Sequence, residues 1–202
     1  MRADAIVFGI AGSLFGLIIG WVLGTQNATG AARMVAAPVA QVAPAAAGAP
    51  AAPQAAPLDP ARVQALRTVA EGDPKNVESR VQLGNLFFDA EQYPQAITWY
   101  EQAFTLNPAD TNVSTDLGVA YYYTNQPDRA LAQFDKSLAI DGKHIKTLLN
   151  VGIVRAFGKN DLAGAAKAWQ EVVTLSPDSP EGQAAKKGLE GVKNTGTGTA
   201  GK

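Results

Sequence analysis

The residues able to do chemistry are few in this chain of 202 residues. It has no Cys, so it offers no thiolate nucleophile, no zinc-finger spacing and no C-x-x-C-H haem attachment. Its single histidine, His144, has no second His to share a metal or a proton relay, and a solvent-facing turn residue is the reading its position favours. Carboxylates are scattered with the spacing of helix surfaces, and none is paired in a pattern marked for acid/base work. Lys and Arg total 17 against 18 Asp and Glu, for a net charge of −1, which removes the basic footprint of a nucleic-acid binder. These counts point away from an enzyme, and they imply no metal and no cofactor. Two sequons, Asn27-Ala28-Thr29 and Asn112-Val113-Ser114, matter only in a glycosylating pathway.

With little chemistry to position, the elements themselves carry the information. After a short N-terminus at 1–4, residues 5–24 hold no charged side chain, and a helix of that length spans about 30 Å, the thickness of a bilayer core. That run is longer than a signal-peptide apolar region and lacks a clean A-x-A site, so a retained transmembrane helix is expected rather than a cleaved leader. Arg2 precedes the span and Arg33 is the first basic residue after it, which leans toward the N-terminus inside and the rest outside the cytoplasmic membrane. Gly12, Gly16, Gly20 and Gly24 recur every fourth residue and share one helix face. Such a face permits close helix–helix approach in lipid, and so a homo-oligomer through the membrane helix, although glycine is also simply common in membrane spans.

Residues 25–58 form an Ala/Pro-rich linker, with Pro38, Pro44, Pro50, Pro53 and Pro57. Extended at about 3.1 Å per residue, such a segment holds a domain up to about 90 Å from a membrane. A spacer is favoured over a ligand for a proline-binding module, because Pro50-Ala51-Ala52-Pro53 has no basic or aromatic flank. Residues 194–202 are Gly/Thr-rich and expected without fixed structure.

Between them, residues 59–193 repeat. Gly84, Gly118 and Gly152 are 34 residues apart, while Ala96, Ala130 and Ala165, and Tyr100, Phe134 and Trp169, are spaced by 34 and 35. Leu83, Leu117 and Val151 precede the glycines, and Pro108, Gly142 and Pro177 end the units. Small residues recurring in register let two helices of a unit approach closely, and the bulky aromatics are expected to fill the space between neighbouring units. Asp59-Pro60 and Ser179-Pro180-Glu181 are helix starts that flank the array, the second opening a polar capping helix at 179–193.

These positions resemble the tetratricopeptide repeat (TPR) family, whose unit of about 34 residues is a pair of antiparallel helices, A and B. The resemblance implies an all-α solenoid of three repeats, at about 77–110, 111–144 and 145–179, with flanking helices. The third unit departs most: Arg155 stands in place of the usual aromatic, and one extra residue falls near the turn at 158–161. In this family the inner faces of the A helices line a groove for a peptide or helix. Carried over, that groove contains Glu78, Val81, Asn85, Phe88 and Asp89; then Asn112, Thr115, Val119, Tyr122 and Tyr123; then Lys146, Leu149, Ile153, Ala156 and Phe157. The competing reading makes these ordinary packing residues, but Tyr121, Tyr122 and Tyr123 cannot all face a core on a helical period. A clamp for acidic C-termini, one known use of the fold, matches at Asn85 and Lys146 and fails at Val81, Asp116 and Asn150.

The function implied is a membrane-anchored scaffold or chaperone-like adaptor that binds an apolar or amphipathic segment of a protein partner outside the cytoplasmic membrane. The stretch Ala165-Ala166-Lys167-Ala168-Trp169-Gln170 is similar to repeat domains of bacterial cytochrome c maturation factors, which bind apocytochrome segments. Repeat proteins of secretion and pilus assembly share the layout and imply a structural oligomer instead.

Overall fold

The computed structural model describes residues 55–197, with side chains to 194; the expected span at 5–24, its glycines and most of the linker lie outside the described residues. The described chain is helical throughout: α1 (Pro60–Gly72), α2 (Val77–Asp89), α3 (Tyr93–Leu106), α4 (Thr111–Tyr123), α5 (Pro127–Ile140), α6 (Ile145–Ile153), α7 (Leu162–Leu175) and α8 (Pro180–Thr197). Among the described residues no helix is long and apolar enough to cross a membrane.

Local chemistry sets most boundaries. Asp59 accepts from the backbone N–H of Ala61 and Arg62, Asn76 from Ser79, Asp110 from Val113, Asp161 from Gly164 and Ser179 Oγ from Gly182, so five helix starts have side-chain caps. Each such cap satisfies donors that the first turn cannot pair internally and contributes about 1 kcal/mol. Pro60, Pro94 and Pro127 sit in first turns, where their missing N–H costs nothing.

Three antiparallel pairs, α2/α3, α4/α5 and α6/α7, stack in order, with α1 before them and α8 after. Successive A helices touch, α4 against α6 and α6 against α8, while successive B helices make no comparable approach. The stack therefore bends with its A helices on the inside.

The recurring glycines have a direct cause. A Cβ on Gly84 would collide with the Tyr100 ring, one on Gly118 with Phe134, and one on Gly152 with Trp169. Each aromatic thus lies on the glycine of its own unit, a contact that the expectation of rings filling the space between units did not include. The crossing of A and B is so close that only a flat ring fits over a bare Cα. Trp169 is also held by its indole N–H, which donates to the Leu149 carbonyl at 3.2 Å. It packs on Gly188 of α8 as well, so in the last unit one ring serves both the unit and its cap.

The turns repeat too. Glu91, Asn125 and Asn160 have φ of 56°, 59° and 56°. In the first two units a helix-ending motif follows, with Gln92 N–H donating to Phe87 O and Gln126 N–H to Tyr121 O. In the third unit the corresponding bond is stretched by one residue, from Asp161 N–H to Arg155 O, and Lys159 N–H reaches Val154 O. Residues Val154–Gly158 form a π-helical turn. The extra residue is therefore absorbed inside helix A rather than in the loop at 158–161. Arg155 bridges the distorted turn through a 2.8 Å bond to Asp161; the Gly164 N–H first, and that bond second, hold the Asp161 carboxyl below its ordinary range.

Two ends differ from expectation. The linker's last residues belong to the domain: Ala56 N–H donates to Asp89 O at 2.9 Å and Leu58 packs against the core. At the other end α8 continues to Thr197, past the expected start of the tail at 194, since extending a formed helix costs little per residue. Arg80 fastens α1 to the first unit, donating to the carbonyls of Asn76 at 2.7 Å and Ala70 at 3.0 Å.

Candidate peptide-binding groove

The A helices place the expected groove residues on the inner face of the stack in two unlike groups. Val119, Leu149 and Ile153 are 8%, 1% and 3% exposed and belong to the packed interior. The A helices meet one another across units, so apolar residues on their flanks are covered by the next A helix. Thr115 is likewise closed off, bonded to Thr147 Oγ1 at 2.6 Å. Val81 is half-buried and packs against the core.

The aromatic residues gather toward the ends of the A helices. Phe88 is itself buried at 9% exposed, and it meets Tyr93 edge-on at a centroid separation of 5.2 Å and Tyr123 at 5.7 Å; Tyr93 stacks on Tyr123 at 4.5 Å with 8° between planes. Tyr122 continues the row, tilted against Tyr123 at 6.1 Å. A Cβ added to Gly158 would lie 3.0 Å from Tyr122 Cε2, so the row reaches the π-helical turn, where Phe157 is 45% exposed. Burial, then the Glu91 carboxylate, pushes the Tyr93 hydroxyl up to about 12; burial first and its ring neighbours next raise Tyr123 further. All of these phenols are neutral at ordinary pH and act as apolar faces with one polar tip.

Tyr93 was not among the residues carried over, because it opens helix B rather than lining helix A. An aromatic directly before the first-turn Pro94, four residues past Asp89, was the available signal.

The polar groups are largely committed. Asn85 Oδ1 accepts from the Tyr100 hydroxyl at 2.7 Å. Lys146 donates to Asp116 at 2.9 Å, with both side chains mostly buried. Both residues that match an acid-binding clamp are thus held within the protein. Asp89 is raised above the usual carboxylate range by burial first and by the Asp116 charge second, with Arg62 opposing. Among the described residues no group of three His, Cys, Asp or Glu side chains is placed to hold a metal ion.

The sequence matches the TPR repeat family over residues 84–125 and the tetratricopeptide repeat family over residues 114–140. It is 28% identical over 119 residues to the formate-dependent nitrite reductase complex subunit NrfG of Escherichia coli O157:H7, covering 57% of this chain and 60% of that protein. The chain thus spans less than two thirds of that relative. The crystal structure of MamA superposes with a TM-score of 0.55 at 17% identity, over 68% of this chain and 88% of the other. The first TPR of Spaghetti (RPAP3), bound to the HSP90 peptide SRMEEVD, superposes at 0.56 with 22% identity, over 62% and 96%. At these identities the likeness to solved structures is one of fold.

Proposed function

With residues 84–140 carrying tetratricopeptide repeats, we propose that this chain is a protein-interaction scaffold whose inner face holds an apolar or amphipathic segment of a partner protein. The observation that carries this reading is the aromatic row of Tyr93, Tyr123 and Tyr122, backed by the buried Phe88 and ending at the exposed Phe157. Aromatic anchors of this kind supply large contact area at low entropic cost and dominate many protein interfaces. The deeply buried expected residues, Leu149 and Ile153, shape the floor of the groove without touching the partner.

The apolar run at 5–24 holds the domain at the cytoplasmic membrane, with the repeats outside and the Ala/Pro segment as tether. A second reading, service to a multi-subunit redox enzyme during its assembly, is supported by the likeness to NrfG. The resemblance of the third unit to cytochrome c maturation factors agrees with it, and the partner segment is then part of an apocytochrome.

The test is the double variant Tyr122→Ala with Phe157→Ala in affinity capture from membrane extract. Each anchor is expected to contribute about 2 kcal/mol, so capture of the partner is lost while helicity is unchanged. Capture equal to that of the parent removes the inner face as the binding site.

A further inference from the structure

The groove's charges are unevenly signed, and this bears on what the groove accepts, granted the reading of it just given. Its lysine, Lys146, is spent on Asp116 at 2.9 Å. Glu78 and Asp89 add negative charge to the same face, Glu78 accepting from Gln82 Nε2 at 2.7 Å. Asp89 has no side-chain hydrogen bond or ion pair among the described residues, and Arg62 acts on it only from beyond ion-pair distance. The Tyr100 hydroxyl, within electrostatic reach of Asp116 and Asp89, already donates to Asn85 and has no proton left for either.

Asp89 also follows directly on Phe88, whose ring meets Tyr93 and Tyr123 edge-on. An unpaired carboxylate at the end of an otherwise largely apolar face suits a cation on a long apolar stem, because the stem can lie along apolar surface while the charge stays at the carboxylate. An acidic segment meets the reverse arrangement. It is repelled by Asp89, and it gains Lys146 only by breaking that residue's mostly buried pair with Asp116.

We propose that the occupant of the groove is a partner segment carrying Lys or Arg beside its apolar residues, the cation seated at Asp89. Specificity of this sort is set by what is repelled as much as by what is attracted.

The experiment uses the full chain in detergent solution and fluorescence anisotropy. The probes are labelled Leu/Ala peptides, about twelve residues long, enough to present anchors on successive helical turns. They are identical except at two positions that hold Lys, Gln or Glu. The peptide SRMEEVD serves as a fourth probe. The Lys peptide is expected to bind about fivefold more tightly than the Gln peptide, and less so at high salt. The Glu peptide and SRMEEVD should bind more weakly than the Gln peptide. Asp89→Asn should remove the difference in affinity between the Lys and Gln peptides. Equal affinities for Lys, Gln and Glu, or a preference for Glu or SRMEEVD, overturns the charge inference and leaves the groove standing. Unchanged binding of the Lys peptide to the Tyr122→Ala, Phe157→Ala variant overturns the groove itself, and failure of every peptide to bind overturns both.

Discussion

At the scale of single residues, the fold depends on places where a side chain is missing. Gly118 lies under the Phe134 ring, which is fully buried, so there is no direction in which that ring can withdraw. Gly118→Leu is expected to cost at least about 1–3 kcal/mol through overpacking, read as a lowered midpoint in urea. A midpoint equal to the parent's would mean that the crossing is looser than the structure shows. The turn residues make the opposite case. Glu91 occupies a left-handed conformation that its two counterparts fill with Asn125 and Asn160, residues that tolerate it better. Glu91→Asn should therefore stabilise the domain by about 0.5–1 kcal/mol, within the range that backbone strain of this kind costs. The same change removes the negative charge that acts on Tyr93 and Tyr123.

At the scale of elements, the junction of the second and third units is held by a directional chain of hydrogen bonds. Thr115 donates to the Thr111 carbonyl at 2.7 Å, so it accepts from Thr147, and Thr147 in turn accepts from His144 Nδ1–H at 2.7 Å. Proton uptake by His144 is left to Nε2. Burial, the largest influence, and the nearby Lys146 hold its pKa below 6.5, while Asp141 and Asp116 pull the other way. The unfolded chain thus binds this proton more readily than the folded one. The stability linked to His144 is complete above the unfolded value and is lost as pH falls from there through the folded value. Thermal melts between about pH 8 and pH 5 should show a drop through this window that is shallower in His144→Gln. Parallel curves would show that the ring is open to water in the folded state. The π-helical turn belongs to this scale as well. It turns one surplus residue into a displaced helix end, and that displacement sets Gly158 against Tyr122 and leaves Phe157 at the surface.

At the scale of the whole molecule, the proposal is a repeat domain on a tether at a membrane. If residues 5–24 anchor it with the repeats outside, the protein fractionates with membranes, and protease added to spheroplasts cuts within 59–193. A soluble product beginning near Ala31 would replace the anchor with a cleaved leader. Association through the glycine face is separable: Gly16→Ile with Gly20→Ile should abolish self-association in a membrane reporter, because the added side chains hold the backbones apart. The repeat domain's own packing is untouched by that change.

What the sequence determined by itself was everything that recurs. Gly84, Gly118 and Gly152, with their aromatics, and the helix starts at Asp59 and Ser179 are local or periodic signals, and a helix translates such spacing directly into one face. The order of helices and the two-layer stack follow from these. Only the tertiary structure decided which rings share a cluster, that Lys146 is consumed by Asp116, and that Val119, Leu149 and Ile153 are closed while Phe157 is open. These outcomes depend on how one unit is set against the next. Tyr93 joins the cluster from helix B, and the 35-residue third unit shifts its helix end by a π turn instead of lengthening its loop. The period fixes each residue's direction within its own helix; what lies in that direction is supplied by a neighbouring unit, whose distance and tilt depend on side-chain packing that no single period records.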